Sequence, residues 1–178
     1  RALPGSHDLE LLQHTLEQWR NGLNVQCPRF DKALRNGRGD RSGWRACHAD
    51  LLVLEGWFVG CQAGYEPTMQ EKGLDPPVTT CEMAYRKHTE LILRRYQPIW
   101  AQLDQLWQLR ATDYQSPQLW KRQQENAMRA TRGSSLDGSA LDGFIRMILS
   151  AIPSETVQNI PADVVFDVDP SRDLTRIH

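Results

Sequence analysis

Four cysteines are the residues of this sequence whose spacing says most about chemistry. Cys27, Cys47, Cys61 and Cys81 are separated by 20, 14 and 20 residues. An even number of cysteines at such spacings is typical of a disulfide framework, whereas structural zinc sites usually bring ligands two to four residues apart. We therefore predict disulfides, no metal site and no cofactor. The alternative is four reduced cysteines packed as small apolar side chains.

The pairing of the cysteines follows from a predicted helix between the inner two. Apolar residues recur there at steps of three and four, which is typical of an amphipathic helix; they are Trp44, Cys47, Leu51, Leu54, Phe58, Cys61 and Tyr65. Along a continuous helix, the Cα atoms of Cys47 and Cys61 would be roughly 21 Å apart, whereas a disulfide spans at most about 7 Å. Two pairings remain. We favour the pairing Cys27–Cys47 with Cys61–Cys81, because each bond would close one helix–helix corner. The alternative is the crossed pairing, Cys27–Cys61 with Cys47–Cys81.

Carboxylates raise the question of catalysis. Glu55, Glu82, Glu90 and Asp104 fall on predicted helices near aromatic residues, where two of them could converge as they do in a glycoside hydrolase. Nothing in their spacing selects a pair. The sequence has no serine elbow, phosphate loop, zinc-protease motif or dinucleotide fingerprint. These absences weigh against an enzyme without deciding the question.

Two basic stretches are candidate binding surfaces. Residues 29–45 contain six arginines and lysines against two aspartates, and a second strip follows between residues 121 and 132. Such a charge excess attracts an acidic protein or lipid head groups, while a formal net charge of −1 argues against a nucleic-acid binder. Tryptophan and arginine dominate interface energetics. The predicted partner-binding residues are Arg35, Arg38, Arg41, Trp120, Lys121, Arg122 and Arg129.

A small-ligand pocket is the alternative site. Trp57, Tyr85, His88 and Ile92 are the residues that would line an apolar cavity between helices. His88 falls on an apolar-leaning helical stripe, where a core histidine held by hydrogen bonds is commoner than a general base.

The sequence predicts mostly helices as the elements that position these residues. Thr79 with Glu82 forms a capping box, Pro98 should kink or divide the long helix that follows, and Ser116-Pro117 starts another helix. Near the C-terminus, Val164, Val165 and Phe166 indicate one short strand or an extended arm. The predicted fold is therefore all-α: a disulfide-stapled bundle of five to six helices over residues 1–152, with an extended C-terminal arm, 153–178, packed on the same domain.

Disulfides place the protein outside the cytoplasm, because they persist in oxidising compartments. The chain begins at Arg1, so we expect it to have been released from an N-terminal signal or anchor. The predicted function is a periplasmic or secreted protein-interaction module, such as an inhibitor, an adaptor or an envelope-assembly component. Its partner would be another protein. Association with a membrane surface or with the cell envelope is a further possibility. A small-ligand carrier is the alternative function, and a hydrolase with helix-borne carboxylates is the third.

Overall fold

The computed structural model describes residues 3–35, 39–69, 71, 74–132 and 138–178. Within these ranges the chain has mixed α/β structure, with five strands in two sheets. The prediction of an all-α bundle is therefore wrong. No helix in the described ranges has the length and apolar character needed to cross a membrane. The chain forms two compact units, one of His7–Trp57 and one of Arg1–Ser6 with Phe58–His178.

The smaller unit is a helix followed by a β-hairpin. Helix α1 begins after Asp8, whose carboxylate accepts a hydrogen bond of 3.0 Å from the amide of Leu11. The carboxylate also faces the positive end of the helix dipole. Strands β1 and β2 pair in antiparallel register, with a bulge at Arg29/Phe30. The bounds are α1 Leu9–Arg20, β1 Val25–Asp31 and β2 Asp40–Cys47.

The larger unit has five helices and a three-stranded sheet. The capping box is confirmed, since Thr79 and Glu82 exchange hydrogen bonds between side chain and backbone at the start of α2. Pro98 lies in the short helix α3, so the predicted long helix is divided. The start at Ser116 is also confirmed. The bounds are α2 Thr80–Leu93, α3 Gln97–Trp100, β3 Trp107–Ala111, α4 Ser116–Arg132, α5 Gly138–Ala151, α6 Ser154–Gln158, β4 Val164–Val168 and β5 Leu174–Ile177.

The sheet of the larger unit has the order β3-β4-β5. β3 and β4 are parallel, with Trp107 opposite Val164, and β5 returns antiparallel to β4. Arg110 of β3 and Asp167 of β4 form an ion pair of 2.7 Å. Arg110 and then His178 hold the pKa of the Asp167 carboxyl down at about 2. Residues 153–178 are therefore not an extended arm, because they contain α6 and two paired strands.

The predicted disulfides are absent. The Sγ atoms of Cys27 and Cys47 are 3.6 Å apart, far longer than the roughly 2.05 Å of an S–S bond. Cys61 is buried and Cys81 is exposed, and all four thiols are free. Burial raises the pKa of the Cys61 thiol to about 12, which favours the unreactive protonated form.

The pairing argument failed because its helix does not exist. Residues 44–47 belong to strand β2, and residues 48–56 form neither helix nor strand. The run Leu51-Leu52-Val53-Leu54 is continuously apolar, and such a run fits a helix stripe and an extended segment equally well. Gly60 and Gly64 have positive φ angles of 82° and 91°, which end any helical course there.

A buried ion pair organises the larger unit. The side chain of Arg86 is completely buried, and its Nη2 lies 2.9 Å from Oε2 of Glu71, whose side chain is 4% exposed. Arg86 also donates to the carbonyl oxygens of Ser150 and Thr68, each at 2.9 Å. Phe58, Tyr96 and Ile99 form part of the apolar core of the same unit.

Replacing Arg86 with methionine should strongly destabilise the protein. The substitution leaves the Glu71 carboxylate buried without its partner, which typically costs about 3–5 kcal/mol. Urea unfolding monitored by circular dichroism measures the loss. The matched control is Arg122→Met, because the side chains of Arg122 and its partner Asp142 are 48% and 58% exposed; about 0–1 kcal/mol is expected there. Equal losses for the two variants would contradict the structural role given to Arg86.

The Glu82 carboxylate should make stability depend on acid pH. Its pKa is lowered to about 2, chiefly by the hydrogen bond from Arg146. Because the folded pKa lies below the unfolded value of about 4.3, this contribution is complete above about pH 4.3 and is lost as the pH falls toward 2.

The free energy of unfolding of Glu82→Gln, compared with the wild type at pH 6 and pH 2.5, tests this. The deficit of the variant should shrink at the lower pH. Glu66→Gln, at an exposed position, is the control and should show a smaller change. A deficit of Glu82→Gln that is the same at both pH values would contradict the prediction.

Candidate functional site: a basic hairpin

The hairpin of β1 and β2 carries the first basic stretch of the sequence. Asp31 Oδ1 accepts a hydrogen bond of 2.8 Å from the amide of Ala33, which turns the chain at the end of β1. Gly39 returns the chain with a φ of +73°, and a Cβ there would lie 2.5 Å from the ring of Phe30. Glycine is therefore required at this position, both for its backbone angle and for the close approach of the aromatic ring.

Two of the hairpin arginines are held by aspartates. Arg35 Nε lies 2.7 Å from Oδ2 of Asp40. Arg41 forms an ion pair with Asp8, and its guanidinium carbon is 5.9 Å from the ring centroid of Trp44. The Leu11 amide, and next the Arg41 side chain, lower the pKa of the Asp8 carboxyl. These arginines therefore tie the hairpin to itself and to the start of α1.

Three other basic residues of the hairpin remain available to a ligand. Arg29, Lys32 and Arg45 are exposed, and none has an ion pair with any residue that the structure describes. In the register of β1 and β2, Cys27 lies opposite Arg45, and Arg29 lies opposite Gly43. Since directly paired residues share a face and alternate residues of a strand do too, Arg29 and Arg45 lie on the same face of the hairpin. Guanidinium groups in such a position can bind a carboxylate or phosphate through paired hydrogen bonds.

Glu55 is an exposed carboxylate of the same unit. It follows the apolar run 51–54 and is exposed, and it has no ion pair among the described residues. Leu51 and Val53 before it are 76% and 78% exposed. Two of the other carboxylates proposed for a hydrolase serve the structure instead. Glu82 pairs with Arg146, and Glu90 accepts hydrogen bonds from the amide of Gly64 and from Arg94.

The predicted partner-binding residues fall in both units. Arg35 and Arg41 lie on the hairpin, and Arg38 lies outside the described residues. In the larger unit, the indole of Trp120 donates to the Pro170 carbonyl at 2.9 Å, and Arg129 is exposed on α4. Lys121 pairs with Glu125 and Arg122 pairs with Asp142. Their role in binding a protein partner stays a prediction.

The residues predicted to line a ligand pocket are also divided. Trp57 ends the smaller unit, whereas Tyr85, His88 and Ile92 lie on α2. Tyr85 and His88 touch each other, with ring centroids 6.5 Å apart, and both are exposed. His88 is therefore not the core histidine that its stripe indicated.

The sequence is similar to curated kinases. It is 28% identical over 151 residues to the uncharacterized kinase mug58 of Schizosaccharomyces pombe, a match that covers 73% of this chain and 50% of that protein. It is 29% identical over 161 residues to the chloroplastic D-glycerate 3-kinase of Arabidopsis thaliana, covering 85% of this chain and 33% of that protein. The chain thus spans half or less of the length of these relatives. No family model matches the sequence.

A solved structure shares the fold. The D-glycerate 3-kinase from Cryptococcus neoformans matches with a TM-score of 0.83 at 22% identity, over 100% of this chain and 68% of that one. The chain therefore shares the α/β fold of that structure.

These similarities overturn the function predicted from the cysteines. An extracytoplasmic interaction module, a small-ligand carrier and a hydrolase are all wrong, because the relatives and the solved structure are kinases. The predicted periplasmic or secreted location is wrong as well, because it conflicts with the similarity to these kinases.

Proposed function

We propose that this chain is part of a kinase that transfers a phosphoryl group from a nucleoside triphosphate to a hydroxyl group of a small hydroxy acid such as D-glycerate. The observation that carries the proposal is the 29% identity to a D-glycerate 3-kinase across 85% of the chain. The fold shared with a second D-glycerate 3-kinase supports it.

The basic hairpin fits the charge of such substrates. A hydroxy acid carries a carboxylate, and a nucleoside triphosphate carries several negative charges. Arg29 and Arg45 offer two exposed guanidinium groups on one face of the hairpin. Because a guanidinium presents a planar pair of donors that matches a carboxylate, we assign these two arginines to the carboxylate of the acceptor.

Glu55 fits the metal that kinases use. Kinase magnesium is bound by one or two protein carboxylates together with water and substrate phosphates, not by an all-protein cage. The exposed Glu55 carboxylate is the residue that would hold Mg²⁺, and the bound ion would neutralise charge on the transferring phosphoryl group.

The chain's own contribution to the reaction is then positioning. Phosphoryl transfer passes through a loose transition state, so catalysis depends mainly on holding donor and acceptor in line. Arginines that fix the carboxylate of the acceptor orient its hydroxyl group. The hydroxyl oxygen attacks the terminal phosphorus, its proton passes to solvent, and the nucleoside diphosphate leaves. The two aspartate-bound arginines, Arg35 and Arg41, keep the hairpin in shape for this task.

A coupled assay of ADP formation tests the proposal. We expect the longest native polypeptide that contains this sequence, supplied with ATP and Mg²⁺, to release ADP when D-glycerate is added, at about 1–100 s⁻¹. Glycerol, which lacks the carboxylate, should be a poor acceptor. Glu55→Gln should lower kcat by at least about a hundredfold, whereas Glu66→Gln should not. ADP release that is indifferent to D-glycerate would refute the proposal.

Removing one hairpin arginine should weaken acceptor binding. Arg29→Gln and Arg45→Gln should each raise the KM for D-glycerate about tenfold to a hundredfold, because a hydrogen bond to a charged group contributes about 1.5–3 kcal/mol. With binding lost equally in the ground and transition states, kcat should change little. Lys87→Gln removes an exposed charge from α2 and is the control. If it changes KM as much as the hairpin variants do, the effect is general electrostatics and the assignment of the arginines is wrong.

A further inference from the structure

The thiols of Cys27 and Cys47 meet at the end of the hairpin opposite its turn. In the register of β1 and β2, Cys27 lies opposite Arg45 and Cys47 lies opposite Val25. Because alternate residues of a strand share a face, the two cysteines are diagonal neighbours on one face of the hairpin. Their Sγ atoms are 3.6 Å apart. Antiparallel pairing thus brings together two thiols that are 20 positions apart in the sequence.

The distance between the two sulfur atoms fits two thiolates that share one tetrahedral metal ion. A Zn–S bond is about 2.3 Å long, and a tetrahedral angle of about 109° then places two sulfur ligands about 3.8 Å apart. A disulfide would need about 2.05 Å. Two thiolates on opposite sides of an ion with the same bond length would be about 4.6 Å apart. The observed 3.6 Å is therefore closest to the tetrahedral arrangement.

The sulfur ligands and this geometry together indicate zinc. Magnesium and calcium prefer oxygen ligands, whereas thiolates select softer ions, and tetrahedral thiolate sites are typical of zinc. Cys27 and Cys47 are both partly exposed, so an ion can reach them from solvent. On binding, each thiol loses its proton to solvent and two sulfur–zinc bonds form.

The pair supplies two of the four ligands that zinc takes. In the part of the chain that the structure describes, no third acidic, histidine or cysteine side chain is placed to complete a metal site. The Cys47 thiol also donates weakly to the Val25 carbonyl oxygen at 3.8 Å, a contact that is lost with the thiol proton. Water fills the two remaining positions, so the ion exchanges with solvent more readily than in a site with four protein ligands.

We propose that Cys27 and Cys47 bind one Zn²⁺ ion, which joins the start of β1 to the end of β2. A two-stranded hairpin is marginally stable by itself, and an ion that binds only the folded hairpin stabilises it. The nearby Arg45 does not oppose binding, because Zn²⁺ and two thiolates together carry no net charge. The inference holds whichever reaction the protein catalyses.

Replacement of zinc by cobalt tests the proposal, because Co²⁺ bound by thiolates absorbs light whereas Zn²⁺ does not. The longest native polypeptide that contains this sequence, kept reduced, is titrated with Co²⁺ and then with Zn²⁺. We expect a thiolate–cobalt absorption that Zn²⁺ abolishes. Cys27→Ser and Cys47→Ser should each lower the zinc affinity at least about a hundredfold, since the loss of an outer-shell partner alone costs about 10–100-fold. Cys81→Ser, at an exposed thiol on α2, is the matched control and should bind as the wild type does.

Two outcomes would overturn the proposal. One is the same cobalt spectrum for the wild type and Cys27→Ser, which means that the two thiols are neighbours without a metal. The other is an equal loss of affinity in Cys81→Ser, which means that thiols bind the ion without regard to position. Circular dichroism shows whether each variant folds, and Cys47→Ser repeats the test should Cys27→Ser fail to do so.

Discussion

The larger unit depends on the complete burial of one guanidinium group. Removing a cation from water is costly unless each donor finds a partner, and the partners of Arg86 come from distant parts of the chain. They are the Thr68 carbonyl, the Glu71 carboxylate and the carbonyl oxygens of Leu149 and Ser150 at the end of α5. A single side chain on α2 thereby fixes a loop and a helix terminus.

The contacts continue from this ion pair to the sheet. Glu71 accepts a hydrogen bond of 3.0 Å from the amide of Ser154, at the start of α6. The carbonyls of Val157 and Gln158 at the other end of α6 receive the side chain of Gln108 from β3. Burial of Arg86 thus positions α6, and α6 holds one face of the sheet. Among the residues that the structure describes, no comparable contact reaches the other face, apart from its border at Trp120, which explains why the apolar residues of that face are exposed.

Local signals in the sequence predicted local structure. The capping box of Thr79 and Glu82 and the start at Ser116 were identified correctly, because each depends on atoms within one turn of helix. The β-hairpin was missed, since the polar residues 28–43 lack the alternation that marks a strand with one buried face. Arg86 gave no signal at all. Its partners are 15 to 64 residues away in the sequence, and one-dimensional spacing does not carry such contacts.

The candidate site was found in part, for a physical reason. An excess of positive charge is visible in composition, so the basic stretch 29–45 was identified without its fold. Which of its cations are available was not visible, because Arg35 and Arg41 are engaged by Asp40 and Asp8 only once the hairpin has formed. The disulfide prediction was wrong because it interpreted the cysteine spacing on a helix that the chain does not form.

The pairing of the arginines separates structural from functional roles. Arg86 is buried and fully paired, and its charge serves the fold. Arg35 and Arg41 are exposed but paired, and they shape the hairpin. Arg29 and Arg45 are exposed and have no anionic partner among the described residues. Their guanidinium groups therefore stay hydrated until an anion displaces the water. The free-energy cost of desolvation is smaller for an exposed cation that binds a carboxylate than for a buried one. Its charge also favours anionic acceptors over neutral ones. Under the proposed function, these two hairpin arginines are therefore suited to bind the carboxylate of a small acid.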